Sequence, residues 1–217
     1  DNGPKADDDA IAASTWATAV KNAGVFKIGS VQTSPLFSLL NEKDGKTRGF
    51  DAGIAQLLSN YILGENKVEI TQVTSDTRES VLQNGQVDAV FATYTITDER
   101  KKSWDFSTPY RTDHVGILIK KKSGMTKMAD LDGKIIGVSQ GSTTKDLVLQ
   151  MLKDQNVDAT PEFKEFPDYP SIKSALDAGN IDAFAMDRST LKGYTTDDCE
   201  LLQPDVEFGA QDYGVAT

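Results

Sequence analysis

Residues 82–93 read LQNGQVDAVFAT and residues 176–187 read LDAGNIDAFAMD, so that Leu82, Gly85, Val87, Asp88 and Ala89 recur as Leu176, Gly179, Ile181, Asp182 and Ala183. Each stretch reads as the end of a helix, a glycine, an acidic turn and a buried strand. Glycine just past an apolar helical run marks a helix C-terminus, and VDAVFAT and IDAFAMD have the length and composition of short buried strands. A unit written twice in one chain predicts two equivalent α/β lobes. In open α/β sheets ligands sit beyond the carboxyl ends of the strands, and there the copies diverge. The first runs into Thr93-Tyr94-Thr95-Ile96-Thr97-Asp98-Glu99-Arg100, which offers hydroxyls and a cation; the second runs into Asp187-Arg188-Ser189-Thr190, which offers a carboxylate. A zwitterionic amino acid held between the lobes would be matched at both charges.

The composition permits this. The chain has 217 residues, 38% hydrophobic and 26% charged, long enough for two lobes of about a hundred residues, each with its own core. Its net charge of −10 argues against nucleic acid, whose phosphates need clustered Lys and Arg. Lys120-Lys121-Lys122 is too short to reverse that and reads as a solvated turn. No apolar stretch approaches the ~20 residues of a membrane span. The polar start DNGPKADDDA reads as a tether, of the kind an export-processed or lipid-anchored protein carries on the outer face of a cell. Cys199 is alone, which excludes an internal disulfide and a multi-cysteine zinc site. His114 is also alone and is expected to pack or to sit at a hinge. Dinucleotide, phosphate-loop, zincin and serine-hydrolase signatures are absent, and no metal or cofactor is expected.

Outward from the repeat, the pattern predicts a helix over 12–23 and a strand over 25–31. A hairpin around 41–46 leads to Gly49-Phe50-Asp51, with Asp51 capping a helix over 52–63 whose apolar face is Ile54, Leu57, Leu58, Tyr61 and Ile62. A strand over 68–73, a helix over 78–83, the first repeat strand over 88–93 and a short helix from Thr97 follow. Phe106-Ser107-Thr108-Pro109-Tyr110 breaks the pattern. The second half has strands at 115–120, 135–139 and 162–166, helices at 143–153 and 171–178, and the second repeat strand. Residues 1–24 are thus a tether and helix, 25–110 with 214–217 a first lobe, and 115–208 a second, with crossings near 110–114 and 209–213.

Four places could carry chemistry. Arg100 lies in the charge run Asp98-Glu99-Arg100-Lys101-Lys102, either on a solvated face or as a bidentate grip on a carboxylate. Asp187 ends the second repeat strand and could cap the next helix or oppose an ammonium. Gly141-Ser142-Thr143-Thr144 joins a strand to a helix, where free N–H groups favour an anion, although many such turns bind nothing. Arg78 follows Thr74-Ser75-Asp76-Thr77 at a helix start, against the dipole preference. It is either a surface residue or one waiting for an anionic partner.

VLQNGQVDAVFATYTITDERKKSWDFSTPY, with Gly49-Phe50-Asp51 before it and DLDGKIIGVSQGSTTKDL after it, resembles the extracellular amino-acid-binding proteins of ABC importers, the polar amino acid subset of the type II periplasmic-binding fold. The likeness runs over residues 25–217. It implies two α/β lobes joined by two hinge strands, and an extracellular, monomeric receptor that shifts to a closed form on binding and is read by a membrane permease. It implies that Arg100 and Thr95 hold the α-carboxylate with help from Ser142 and Thr143, while Asp187 and the Thr93 carbonyl take the α-ammonium. Ser75 and Arg78 are similar to the serine and arginine with which glutamate and aspartate binders hold the distal carboxylate. Glutamate is therefore expected, with glutamine or aspartate as alternatives. A dehydratase-type enzyme on the same fold and a sensor domain are the rival classes; the first needs a general acid, and Asp187 is already committed to an ammonium. Relatives continue past the Tyr213-Gly214-Val215-Ala216 return strand, so the first lobe is expected to be incomplete at its C-terminal end.

Overall fold

A computed structural model describes residues 3–217; Asp1 and Asn2, the start of the expected tether, lie outside them. The Asp-rich start is helical from Asp8. Helix α1 (Asp8–Ala13) is capped by the Asp7 carboxylate, which accepts from the Ala10 N–H at 3.0 Å. The single helix expected over 12–23 is broken by Ser14, whose backbone is extended and whose hydroxyl accepts from the Ala17 N–H at 3.1 Å to start α2 (Thr15–Ala23). A serine hydroxyl competes with the helix for backbone groups, so it favours the cap over the interior.

Strand β1 (Phe26–Ser30) precedes an antiparallel sheet of β2 (Thr33–Ser34), β3 (Ser38–Asn41) and β4 (Lys46–Arg48). In α3 (Phe50–Leu63) the N-cap is Gly49 and not the expected Asp51, and no side chain caps the helix. Asp51 is fully buried in the first turn instead, and its carboxylate accepts from the Thr93 N–H and the Tyr110 hydroxyl, each at 2.8 Å. Strand β5 (Val68–Gln72), helix α4 (Arg78–Gln83) and strand β6 (Ala89–Val90) complete a parallel sheet of order β5-β1-β6. The strand expected over 88–93 is shorter because the chain leaves the sheet. Thr93 adopts φ 45°, and its N–H goes to Asp51 instead of to a neighbouring strand. The helix expected from Thr97 is one 3-10 turn, Arg100–Lys102, whose first N–H is held by the Thr97 hydroxyl at 3.1 Å.

The other lobe is built from β7 (Arg111–Lys120), β8 (Ile135–Ser139), α5 (Thr144–Asp154), β9 (Glu162–Phe166), α6 (Tyr169–Ala178), β10 (Ala183–Asp187), α7 (Arg188–Tyr194), β11 (Cys199–Leu201) and β12 (Phe208–Tyr213). Its sheet has the order β11-β7-β10-β8-β9, with β12 also on β7. Strand β11 pairs with Leu118–Lys120 and β12 with Arg111–Val115. That second pairing explains why β7 begins before the expected Val115. Beyond it, Thr95 bridges Tyr213 and Val90 bridges Ala216, so the β7 and β12 pair leads from one sheet to the other. Lys120 is not simply solvated: Asp198 holds its ammonium at 2.6 Å, with Asp177 also within ion-pair reach.

The repeat has a mechanical reason. Asp88 Oδ2 accepts from the Lys27 N–H at 2.9 Å, and Asp182 Oδ2 accepts from the Ile135 N–H at 2.8 Å. Each aspartate also donates its own N–H to the carbonyl of that residue, at 2.7 Å and 2.9 Å. Each copy thus ties the acidic turn to the start of the parallel strand beside it. Three apolar clusters form the core. One belongs to each lobe, the first around Phe26, Ile28 and Phe91 and the second around Ile117, Ile136 and Val148. The third joins Val73, Val90 and Tyr94 to Tyr169, Ile172, Phe184 and Met186, and so crosses between the lobes.

Candidate functional site between the lobes

Strand ends of both sheets face one another across a small pocket. The turn after β5 supplies Ser75 and, at the start of α4, Arg78; the segment after β6 supplies Thr93 and Thr95; the turn after β8 supplies Ser142 and Thr143; and β10 ends there on Asp187. Thr144, Tyr169, Met186 and Gln211 line it too. The lobes touch around it. Ser75 Oγ donates to the Gln140 carbonyl at 2.8 Å and also meets the Ser139 hydroxyl. Gly141 makes the approach possible: its φ is 77°, and a Cβ there would lie 2.5 Å from the Ser75 carbonyl oxygen. Only glycine meets both demands.

Arg78 is buried, at 3% exposure. Its Nη1 donates to the Ala92 carbonyl at 3.0 Å, and its guanidinium carbon sits 4.3 Å from the Tyr94 ring centroid. Among the described residues no carboxylate lies within ion-pair distance of it. Arg78 Nε, Thr144 Oγ1 and Tyr169 OH are buried side-chain atoms without a partner among the described residues, and all three residues line this pocket. An unsatisfied buried polar group costs roughly 1–3 kcal/mol. Their concentration in one place marks a site shaped for a polar guest.

Asp187 occupies the N-cap position of α7 but makes no capping bond. Its carboxylate instead accepts from Gln211 Nε2 at 2.8 Å and from the Tyr213 hydroxyl, which also reaches Asp113 at 3.1 Å. Burial pushes the Asp187 carboxyl up to about 6, against the pull of the bonds from Tyr213 and Gln211. Asp51 behind Thr93 is likewise raised to about 6 by burial, against its bonds from Thr93 and Tyr110. Thr143 Oγ1 donates to Gln211 Oε1 at 2.8 Å, and Ser142 Oγ donates to the Ser139 carbonyl at 2.6 Å.

Arg100 stands beside the pocket and not among its lining residues. It is not on a solvated face either, its side chain being 11% exposed. Nη1 donates to the Thr95 carbonyl at 2.7 Å and Nη2 to the Gly141 carbonyl at 3.2 Å, across the lobes. Burial, and then the nearby positive charge of Arg78, lower its pKa to about 10. Sequence reasoning reached Thr144 only as part of the Gly141–Thr144 turn and missed Tyr169, Met186 and Gln211. Tyr169 had a usable signal, since it opens a helix capped by Asp168 at 2.8 Å just beyond β9, the position at which strand-end ligands sit. Gln211 had none, because a polar residue in a short strand reads as solvent-facing until the partner strand is known.

An α/β molecule whose two lobes close over a polar pocket at their strand ends is built as a receptor for a small solute. Residues 26–162 match the bacterial extracellular solute-binding proteins, family 3, and the chain belongs to that family. It is similar to a glutamine-binding protein of Geobacillus stearothermophilus, 36% identical over 91% of this chain and 74% of the relative. It is also similar to the glutamate-binding protein GluB of Corynebacterium efficiens, 33% identical over 81% of this chain and 60% of that protein. Among solved structures, an ancestral arginine-binding protein bound to arginine superposes with a TM-score of 0.76 at 31% identity, covering 89% of this chain and 84% of the other. No helix among the described residues is long and apolar enough to cross a membrane.

Proposed function

We propose that the chain is the amino-acid-binding component of an ABC importer and that its ligand is an acidic amino acid, L-glutamate first. It works outside the cell, anchored through its N-terminal tether, and hands the ligand to a membrane permease without making or breaking a bond. The ligand's α-ammonium faces Asp187 and the Thr93 carbonyl. Its α-carboxylate faces Thr95, Ser142, Thr143 and Arg100, whose two carbonyl bonds use only part of its donor fork. The distal carboxylate faces Ser75 and Arg78.

The observation that carries glutamate is Arg78, a buried cation with no carboxylate beside it and an unpartnered Nε in a pocket-lining side chain. A distal carboxylate supplies the missing charge and acceptor; an amide supplies only the acceptor. The similarity to a glutamine-binding relative supports glutamine as the second reading. Calorimetric titration with glutamate, aspartate and glutamine separates them. The wild type is expected to prefer glutamate over glutamine. Arg78→Ala should lose roughly 2–5 kcal/mol on the diacid, the range for removing one partner of a buried charge pair, and much less on glutamine. Equal losses on both would remove Arg78 from the distal site.

A further inference from the structure

Tyr94 touches both of the arginines just assigned and is fully buried, yet it is not among the residues that line the pocket. The guanidinium carbon of Arg78 stands 4.3 Å from its ring centroid and that of Arg100 4.4 Å. Its hydroxyl donates to Glu79 Oε1, and the same carboxylate oxygen lies 3.9 Å from Arg100 Nε. The ring packs against Phe106, with centroids 5.3 Å apart, and the Tyr94 carbonyl accepts from the Gly214 N–H at 3.0 Å. Two like charges held against one ring repel one another, and that repulsion adds to burial, the larger cause, in lowering the pKa of Arg100. An aromatic face attracts a cation, so one ring gives both guanidinium groups a fixed seat that a flexible aliphatic side chain could not. Backbone carbonyls complete each seat, Ala92 for Arg78 and Thr95 for Arg100.

We propose that Tyr94 is a positioning residue that sets the spacing of the Arg78 and Arg100 guanidinium groups and so the length of the dicarboxylate the cleft selects. This rests on the reading that these two arginines hold the two carboxylates of an acidic amino acid. Aspartate and glutamate differ by one methylene, so a fixed distance between two cationic clamps discriminates between them in a way that neither clamp does alone. Glu79 anchors the ring at its hydroxyl, and loss of that anchor loosens the spacing less than loss of the ring.

The test is calorimetric titration of glutamate, aspartate and glutamine into wild type, Tyr94→Phe and Tyr94→Met, with thermal melting of each. Methionine fills irregular buried space but offers no aromatic face. The ratio of glutamate to aspartate affinity is expected to move toward one, by about tenfold in Tyr94→Met and about threefold in Tyr94→Phe, consistent with the strength of partly buried cation–π contacts. A folded Tyr94→Met whose ratio stays within about twofold of wild type, with any loss shared equally by all three ligands, makes Tyr94 a packing residue and overturns the proposal. Should Tyr94→Met fail to fold, an unchanged ratio in Tyr94→Phe overturns it. A wild type that binds neither diacid overturns the ligand reading itself, and the proposal with it; a selective wild type whose selectivity survives in the variants overturns the proposal alone.

Discussion

At the scale of single residues, the pocket is built around buried ionisable groups. Asp187 shows this with two opposite pH dependences. Its folded pKa is raised to about 6 from the ordinary carboxylate value of 3.8, chiefly by burial, so in the absence of ligand the folded state binds a proton more tightly than the unfolded one. The resulting stability is fully present below about pH 4 and is lost as pH rises through about 6. It amounts to on the order of 3 kcal/mol. Asp51 acts in the same window. With the ligand's ammonium facing Asp187 as proposed, affinity runs the other way, because an ammonium needs the ionised carboxylate: affinity for amino acids should fall as pH drops through about 6. The groups around Asp187 that tune this are Tyr213, Gln211, Asp113 and Arg78. Melting curves without ligand and titrations with it, between pH 4 and 8, read the two trends. Asp187→Asn should flatten its share of both, and an unaltered pH profile of affinity in that variant would take Asp187 away from the ammonium. The gathering of these side chains at one pocket was legible in part. Asp187, Ser75, Arg78, Ser142 and Thr143 each follow a strand end that periodicity predicts, where ligands of open α/β sheets collect. The carboxylate's second partners were not legible, since Gln211 and Tyr213 reach it from a strand distant in sequence.

At the scale of elements, the departures at Asp51 and β6 share a cause, unlike the local Ser14 cap that splits the first helix: a tertiary contact took over a group that local reasoning had assigned to the nearest helix or strand. Asp51 reads as a cap because it stands where a helix begins, yet its carboxylate reaches across to the exit of β6 and holds Thr93 in a left-handed conformation. The β6 strand is short for the same reason. Elements whose hydrogen bonds close locally were easier to read, as with Arg78–Gln83 in α4. The exit of β6 carries Thr93 and Thr95 into the pocket, so its support should matter for every ligand alike. Asp51→Ala leaves the Thr93 N–H and the Tyr110 hydroxyl without their acceptor, at roughly 1–3 kcal/mol each. The variant is expected to unfold at lower denaturant concentration and to bind glutamate, aspartate and glutamine more weakly by a common factor. A ligand-specific loss would show that Asp51 acts on the site by another route.

At the scale of the whole molecule, the contacts between lobes describe a closed form. Ser75 meets the β8 turn, Ser34 Oγ lies 3.4 Å from Thr190 Oγ1, and the Tyr194 hydroxyl donates to the Thr33 carbonyl. The β7 and β12 pair is the continuous connection through which they approach. If ligand binding draws this equilibrium toward closure, a change that harms only the closed form should weaken every ligand without weakening the lobes. Gly193 in α7 allows such a change. A Cβ at this position would lie 2.3 Å from Pro35 Cβ and 2.5 Å from its Cγ, and a proline ring yields little. Within α7 itself alanine is the better helix former by about 1 kcal/mol, so Gly193→Ala should leave the melting temperature without ligand unchanged or raised. Closure must then displace Pro35, and overpacking of this kind costs roughly 1–3 kcal/mol. Affinity for all three amino acids should drop by about tenfold together, and the ligand-induced fall in radius of gyration seen by solution scattering should shrink. A Gly193→Ala protein that keeps both its affinity and its compaction would mean that the lobes do not close on this contact when ligand is bound.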